Sequence, residues 1–186
     1  MCLYFFFFFF RRCSHSPQYC VAPKKKMLPL WFRHLQTNNL PRRLLFDLDK
    51  TLWRQYTVEY DHRPFDAARV AAEHVPMPHT HMLHELARAG HQLHVCSRSS
   101  EPDKCKELLD VAFPGILWKS LQIYPTPRHK YTHVMRALGK SAHTETFWFF
   151  DDEPHILQHL ADTFPKATLV HAPNGIIAGE LFLPPR

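Results

Sequence analysis

The sequence predicts an α/β domain of three layers, α/β/α, built on a mainly parallel sheet. Two observations predict it. From Arg42 onward, short apolar runs alternate with amphipathic segments of about ten residues, the pattern of parallel strands joined by helical crossovers. Three of those runs also end on a polar side chain, at Asp47, Ser97 and Asp151. In an open α/β sheet, ligands bind outside the carboxyl ends of the strands, so three residues far apart in sequence are expected to converge on one crevice.

The elements follow in order. Leu44-Leu45-Phe46 is the first expected strand and stops at Asp47. Gln92 to Cys96 is the second and stops at Ser97; Ile116 to Ile123 is the third. Thr146 to Phe150, almost wholly aromatic, is the fourth and stops at Asp151; Ala167 to Val170 is the fifth. Between them lie helical segments at His79 to Ala89, Pro102 to Val111, His129 to Leu138 and Pro154 to Thr163, of which the first and third are followed by Gly90 and Gly139. Glycine just past the last periodic residue is a usual helix stop.

Length and charge narrow the possibilities. A chain of 186 residues suits one domain with its own core. The net charge of +6 would suggest a nucleic-acid partner, but it is unevenly placed. Met1 to Phe46 holds eight Lys or Arg and no Asp or Glu, whereas the remainder holds 15 basic and 17 acidic residues. The folded part is nearly balanced, which weakens the case for a nucleic-acid-binding face. Residues 1–40 read as a basic leader without structure, and residues 41–186 as one domain. The apolar run in the leader, Phe5 to Phe10 with its neighbours, is about nine residues long. A spanning helix needs about 20, and the charge of Arg11 and Arg12 follows the run instead of preceding it as in a secretory signal. Met27 stands as a second candidate start. Five cysteines without a C-x-x-C pair are not a disulfide framework, so a reducing, cytoplasmic setting is expected. The 15 histidines are scattered and form no H-E-x-x-H pattern.

Four clusters carry chemistry. Asp47 and Asp49, in Phe46-Asp47-Leu48-Asp49-Lys50-Thr51-Leu52-Trp53, put two carboxylates at a strand exit, where one can attack phosphorus while the other serves as acid and base. Two such anions would repel a phosphate, which calls for a divalent cation with a preference for oxygen ligands, Mg²⁺. Ser97, in Cys96-Ser97-Arg98-Ser99-Ser100, offers a hydroxyl and adjoining N–H groups for phosphate oxygens, and Ser99 or Ser100 also suits the start of the next helix. Lys130, at the start of another expected helix, can neutralise phosphate and attacking carboxylate together. Asp151-Asp152-Glu153 places three consecutive acids at a strand exit, a costly arrangement without a cation. A cysteine-phosphatase reading of Cys96 fails, because the position six residues on is Pro102; Cys96 is expected to be a buried core residue. Taking Asp49-Lys50-Thr51 as a phosphorylated triplet of a P-type ATPase fails as well, because the strand ends at Asp47 and the chain is too short for the other domains.

In that order the clusters resemble the haloacid-dehalogenase superfamily of phosphohydrolases, and more narrowly its small capless magnesium-dependent phosphatase family. The resemblance runs from about Arg42 to Leu183 and rests on Phe46-Asp-Leu-Asp-x-Thr-Leu-Trp53, Ser97-Arg98-x-Ser100-Glu101, Ile123-Tyr124-Pro125, Lys130-x-Thr132-His133, Phe149-Phe150-Asp-Asp-Glu153 and Asn174-Gly175. It implies a Rossmann-like domain acting through an aspartyl-phosphate, with Asp47 as nucleophile and Asp49 as acid and base. Leu48, Thr51, Ser97, Arg98 and Lys130 would bind the phosphoryl group or the substrate. Mg²⁺ would be held by Asp47, Asp49 (through its backbone carbonyl) and Asp152 or Asp151, with Asp152 favoured. Substrates would be phosphotyrosine-like or sugar phosphates of the fructosamine-phosphate kind. The chain departs from the family where Arg54-Gln55 follows Trp53 in place of Pro-Phe, and where the segment up to His79 is shorter, which touches substrate choice. The second and third clusters stand about 30 residues apart, room for a helix and a strand but for no large cap. A rival of another class is a phospho-ligand-binding module of the same fold without turnover.

Overall fold

A computed structural model describes residues 29–37, 42–60, 64–126 and 130–183. In chain order the elements are α1 (Leu30–Thr37), β1 (Arg43–Phe46), α2 (Ala67–His74), α3 (Met77–Arg88), β2 (Gln92–Ser97), α4 (Pro102–Ala112), β3 (Ser120–Ile123), α5 (Tyr131–Leu138), β4 (Trp148–Asp151), α6 (Pro154–Thr163), β5 (Thr168–His171) and β6 (Glu180–Leu181), with 3₁₀ turns at Thr57–Tyr60, Gly139–His143 and Ile176–Ala178. The sheet has six strands in the order β3-β2-β1-β4-β5-β6. The first five run parallel, and β6 returns antiparallel to β5. From β1 the chain steps outward through β2 to β3, then crosses back to β4 and β5. The strand order therefore reverses beside β1, the position where an open α/β sheet leaves a crevice at its carboxyl edge.

Alternation along the strands sorts the core into two faces. Leu44, Phe46, Leu93, Val95, Trp148 and Phe150 pack on the side covered by α1 to α4. Leu45, Cys96, Phe147, Phe149 and Leu169 pack against α5 and α6. Both faces of the sheet are thus buried, which is why its strands read as continuous apolar runs. Between β1 and β2 the described chain holds one 3₁₀ turn, α2 and α3, and between β2 and β3 only α4, so no second sheet or cap domain intervenes there.

The structure differs from the expectations in five places. The third strand starts at Ser120, because Phe113 ends α4 and Gly115 turns the chain at φ +78° before the strand can begin. His129 lies outside the described residues, and α5 starts at Tyr131. The eight-residue α2, whose Asp66 accepts the Arg69 N–H as its cap, and the two-residue β6 were not expected. The largest difference is α1. It lies within the stretch read as an unstructured leader, yet Trp31, Phe32 and Leu35 are buried. Those three side chains share one helix face, and the Trp31 indole donates to the Ile176 carbonyl at 3.1 Å. The packed unit therefore begins by residue 30 and not 41; residues 1–28 lie outside the described part.

Candidate active site

The site is assembled by the β1–β4 pair. Beyond Phe46, the Asp47 N–H donates to the Phe150 carbonyl at 2.9 Å, which fixes the first acid of β1 beside Asp151 at the end of β4. Neither carboxylate is accessible enough to be solvated well: Asp47 is 6% exposed and Asp151 0%. What offsets their burial is Lys130, also buried, whose Nζ lies 2.6 Å from Asp47 Oδ1 and 2.6 Å from Asp151 Oδ2. Lys130 precedes α5 with φ +60°, a left-handed conformation uncommon for a side-chain-bearing residue. Burial works against its charge, but Asp151 and Asp47 overcome that and hold the ammonium above its usual range. Burial pushes Asp47 up to about 8, with Lys130 pulling the other way.

Asp49 is held from a different side. Its Oδ1 accepts the Trp53 indole N–H at 2.7 Å, the Thr57 N–H at 2.9 Å and the Thr57 hydroxyl at 2.6 Å. Three donors on one oxygen orient the carboxyl and leave Oδ2 for the cavity that Asp49 lines. Burial raises its pKa, while the bonds from Thr57 and Trp53 act to lower it. A carboxyl so poised and so oriented is suited to giving and taking a proton.

At the end of β2, Ser97 is buried and its Oγ accepts the Ser99 N–H at 3.3 Å. Ser99 Oγ in turn accepts the Glu101 N–H at 3.2 Å, so the serines organise the loop entering α4, while the N-cap position itself falls to Glu101. Arg98 reaches Glu153 with an Nη2–Oε2 distance of 2.6 Å, an ion pair linking the loop after β2 to the loop after β4. These residues surround a cavity of about 330 Å³ lined by Asp47, Asp49, Ser97, Arg98, Lys130 and Asp152, with Tyr56, Val58 and Pro125 on its outer wall.

Asp47, Asp49, Ser97, Arg98, Lys130 and Asp152 thus meet at one cavity. Leu48 and Thr51 do not line it. The Leu48 side chain belongs to the core, which leaves only its backbone for a ligand, and the Thr51 hydroxyl is buried without a hydrogen-bond partner among the described residues. Sequence reasoning missed Thr57 and Trp53 as the holders of Asp49, and Glu153 as the partner of Arg98. Trp53 lay inside the quoted motif, but nothing in its spacing marked it as a donor to a residue four positions back. Thr57 sits in an irregular stretch without periodicity. Cys96 is fully buried and burial pushes its thiol far up, so it holds no thiolate for nucleophilic work.

One carboxylate oxygen each from Asp47, Asp151 and Asp152 lie within 4.8 Å of one another. Burial, together with Asp151, pushes Asp152 up to about 6. An all-oxygen set of acids crowded against a single ammonium fits a hard divalent cation such as Mg²⁺. The Asp49 carboxylate is outside this trio.

None of the curated proteins matches the chain. A family model described as Acid Phosphatase does, over residues 39–181, a span that contains the β1 acids, Ser97, Lys130 and the Asp151–Asp152 pair. The chain belongs to this acid phosphatase family of haloacid-dehalogenase-like enzymes, and it is a phosphatase.

Proposed function

We propose that the chain is a Mg²⁺-dependent phosphomonoester hydrolase that works through an aspartyl-phosphate on Asp47. The observation that carries this reading is the bridge from Lys130 Nζ to Asp47 and Asp151 at 2.6 Å each, at a strand switch point where a phosphate would meet one ammonium and several carboxylates. In the first half-reaction an Asp47 oxygen attacks phosphorus, the P–O bond to the leaving group breaks, and the Asp49 carboxyl gives its proton to the departing oxygen. In the second, Asp49 takes a proton from water, the water oxygen attacks phosphorus, and the P–O bond to Asp47 breaks to restore its carboxylate and free phosphate. Lys130 and Ser97 hold the phosphoryl oxygens, joined by backbone N–H groups after Asp47, including that of Leu48. Thr51 then contributes through the fold of that turn, since its hydroxyl is buried away from the cavity.

Asp47, the Asp49 carbonyl and Asp152 would hold the cation. Asp151 is better suited to anchoring Lys130, because its Oδ2 pairs with that lysine and its Oδ1 accepts the Glu153 N–H at 2.9 Å. When bound, Mg²⁺ would neutralise charge on the phosphoryl oxygens and lessen their repulsion from the attacking carboxylate. Tyr56, Val58 and Arg98 line the cavity, an aromatic, an apolar and a cationic side chain that suit phosphotyrosine-like or sugar-phosphate substrates. The test is hydrolysis of p-nitrophenyl phosphate with Mg²⁺, with acid-quenched protein digested for mass spectrometry. A phosphoryl adduct on the peptide containing Asp47, absent from Asp47→Asn, is the expected result. Full turnover by Asp47→Asn would overturn the reading.

A further inference from the structure

A second cavity, of about 490 Å³, opens beside α3 and is lined by Lys50, Arg54, His79, Asn174 and Gly175, with prolines and Trp53 completing the wall. No carboxylate lines it among the described residues, although its wall holds two permanent cations. The Lys50 Nζ lies 4.0 Å over the ring of Tyr56, which lines the first cavity. Arg54 is exposed and is fixed by its backbone, its N–H donating to the His74 carbonyl at 3.1 Å.

His79 is the informative residue. It is 3% exposed, and its Nδ1 lies 2.9 Å from the Leu52 carbonyl. A carbonyl can only accept, so Nδ1 carries the proton and Nε2 is left as a lone pair. Nε2 makes no hydrogen bond among the described residues, and its ring edge lies against Gly175: a Cβ there would come within 2.4 Å of Cε1 and 2.8 Å of Nε2. Gly175 has φ +88°, so both its backbone and the ring above it require the absence of a side chain. His79 also stands in the first turn of α3, whose N-cap is Pro76 and which has no side-chain cap. The positive end of that helix therefore faces the cavity. Two cations and an uncapped helix start favour a negative guest, and the His79 ring, which lines the cavity, joins them once Nε2 takes a proton.

We propose that this cavity is a second oxyanion site, taking a phosphate or carboxylate group, with Arg54 supplying positive charge and the Nε2 edge of His79 the inner contact. It is independent of the phosphoryl transfer assigned above. In the empty site, burial and Arg54 hold His79 below its usual pKa. An entering anion reverses that balance: Nε2 takes a proton from solvent or from dihydrogen phosphate and becomes a donor to the guest.

The test follows the His79 Cε1–H resonance of the full chain by NMR, assigned by its loss in His79→Gln, as inorganic phosphate or acetate replaces chloride at constant ionic strength. The expected result is a rise of about one unit in the apparent pKa of His79, with the anion of lower half-saturation identifying the preferred group. Arg54→Ala should weaken the half-saturation at least threefold while leaving hydrolysis of p-nitrophenyl phosphate unchanged, and Ser97→Ala should leave the response intact. Tryptophan fluorescence checks that both variants are folded. A resonance that ignores both anions, that moves equally in Arg54→Ala, or that stops moving in Ser97→Ala would overturn the proposal.

Discussion

Thr57 shows how much a site depends on residues that touch no substrate. Its backbone and hydroxyl supply two of the three donors on Asp49 Oδ1, and its Oγ1 lies 3.4 Å from Cys105 Sγ in the core beneath. Thr57→Val keeps shape and backbone but removes the hydroxyl, so the Asp49 carboxyl can rotate away from the leaving group. The expected effect is a fall in kcat of roughly 10–100-fold with KM within about twofold, a part of the roughly 100- to 10,000-fold that a well-placed general acid and base contributes; Thr57→Ser should restore it. Unchanged kcat in the valine variant would show that Trp53 alone suffices. Lys130 makes a sharper case. Replacing it with Met leaves Asp47 and Asp151 buried with no cation between them, a loss expected to cost about 3–5 kcal/mol beyond its effect on catalysis. A urea midpoint equal to that of the parent would mean that the two carboxyls had simply taken up protons at no cost.

Among the elements, α1 is the one whose weight was least visible in the sequence. Its Trp31 ring packs edge-on against Phe150, with centroids 4.8 Å apart, and Phe150 is the residue before Asp151. The helix thus presses on the strand that carries half of the site. It was hidden because residues around it are basic and irregular, and because eight helical residues offer barely two turns of periodicity. Other elements were legible for the opposite reason: β4 opens on three consecutive aromatics, Trp148 to Phe150, and α6 spans Pro154–Thr163 with proline at its first position as read. A chain beginning at Met27 keeps α1 and should melt like the full chain. One beginning at residue 39 loses the burial of Trp31, Phe32 and Leu35, and Trp31→Ala alone is expected to cost about 3–5 kcal/mol. Equal melting temperatures for the two truncated chains would show that α1 packs without contributing.

Taken as a whole, the molecule keeps several titratable groups out of water, and the sequence disclosed their types without their states. The motif acids were legible because strand ends in this topology must meet; the ionisation of buried histidines depends on distances that no spacing reveals. His133 is buried, stacked on Tyr124 with centroids 4.2 Å apart, its Nε2 donating to the Tyr124 carbonyl at 3.0 Å and its Nδ1 without a partner among the described residues. Burial lowers its pKa to about 4. Burial, with Arg43 and Lys119 nearby, does the same to His94, also to about 4. Both folded values lie below the unfolded value of about 6.5. Their contribution to stability is therefore fully present above about pH 6.5 and is lost as pH falls toward 4, by up to about 3 kcal/mol for each. Asp47 and Asp152, raised by burial, act in the opposite sense and gain as pH falls, so the melting curve of the parent alone mixes both effects. The difference between the parent and His133→Gln isolates one of them, because the carboxyls are common to both chains. That difference in unfolding free energy should shrink by about 2–3 kcal/mol between pH 7.5 and pH 4.5. A difference that stays constant across this range would mean that His133 gains its proton in the folded protein as readily as in the unfolded one.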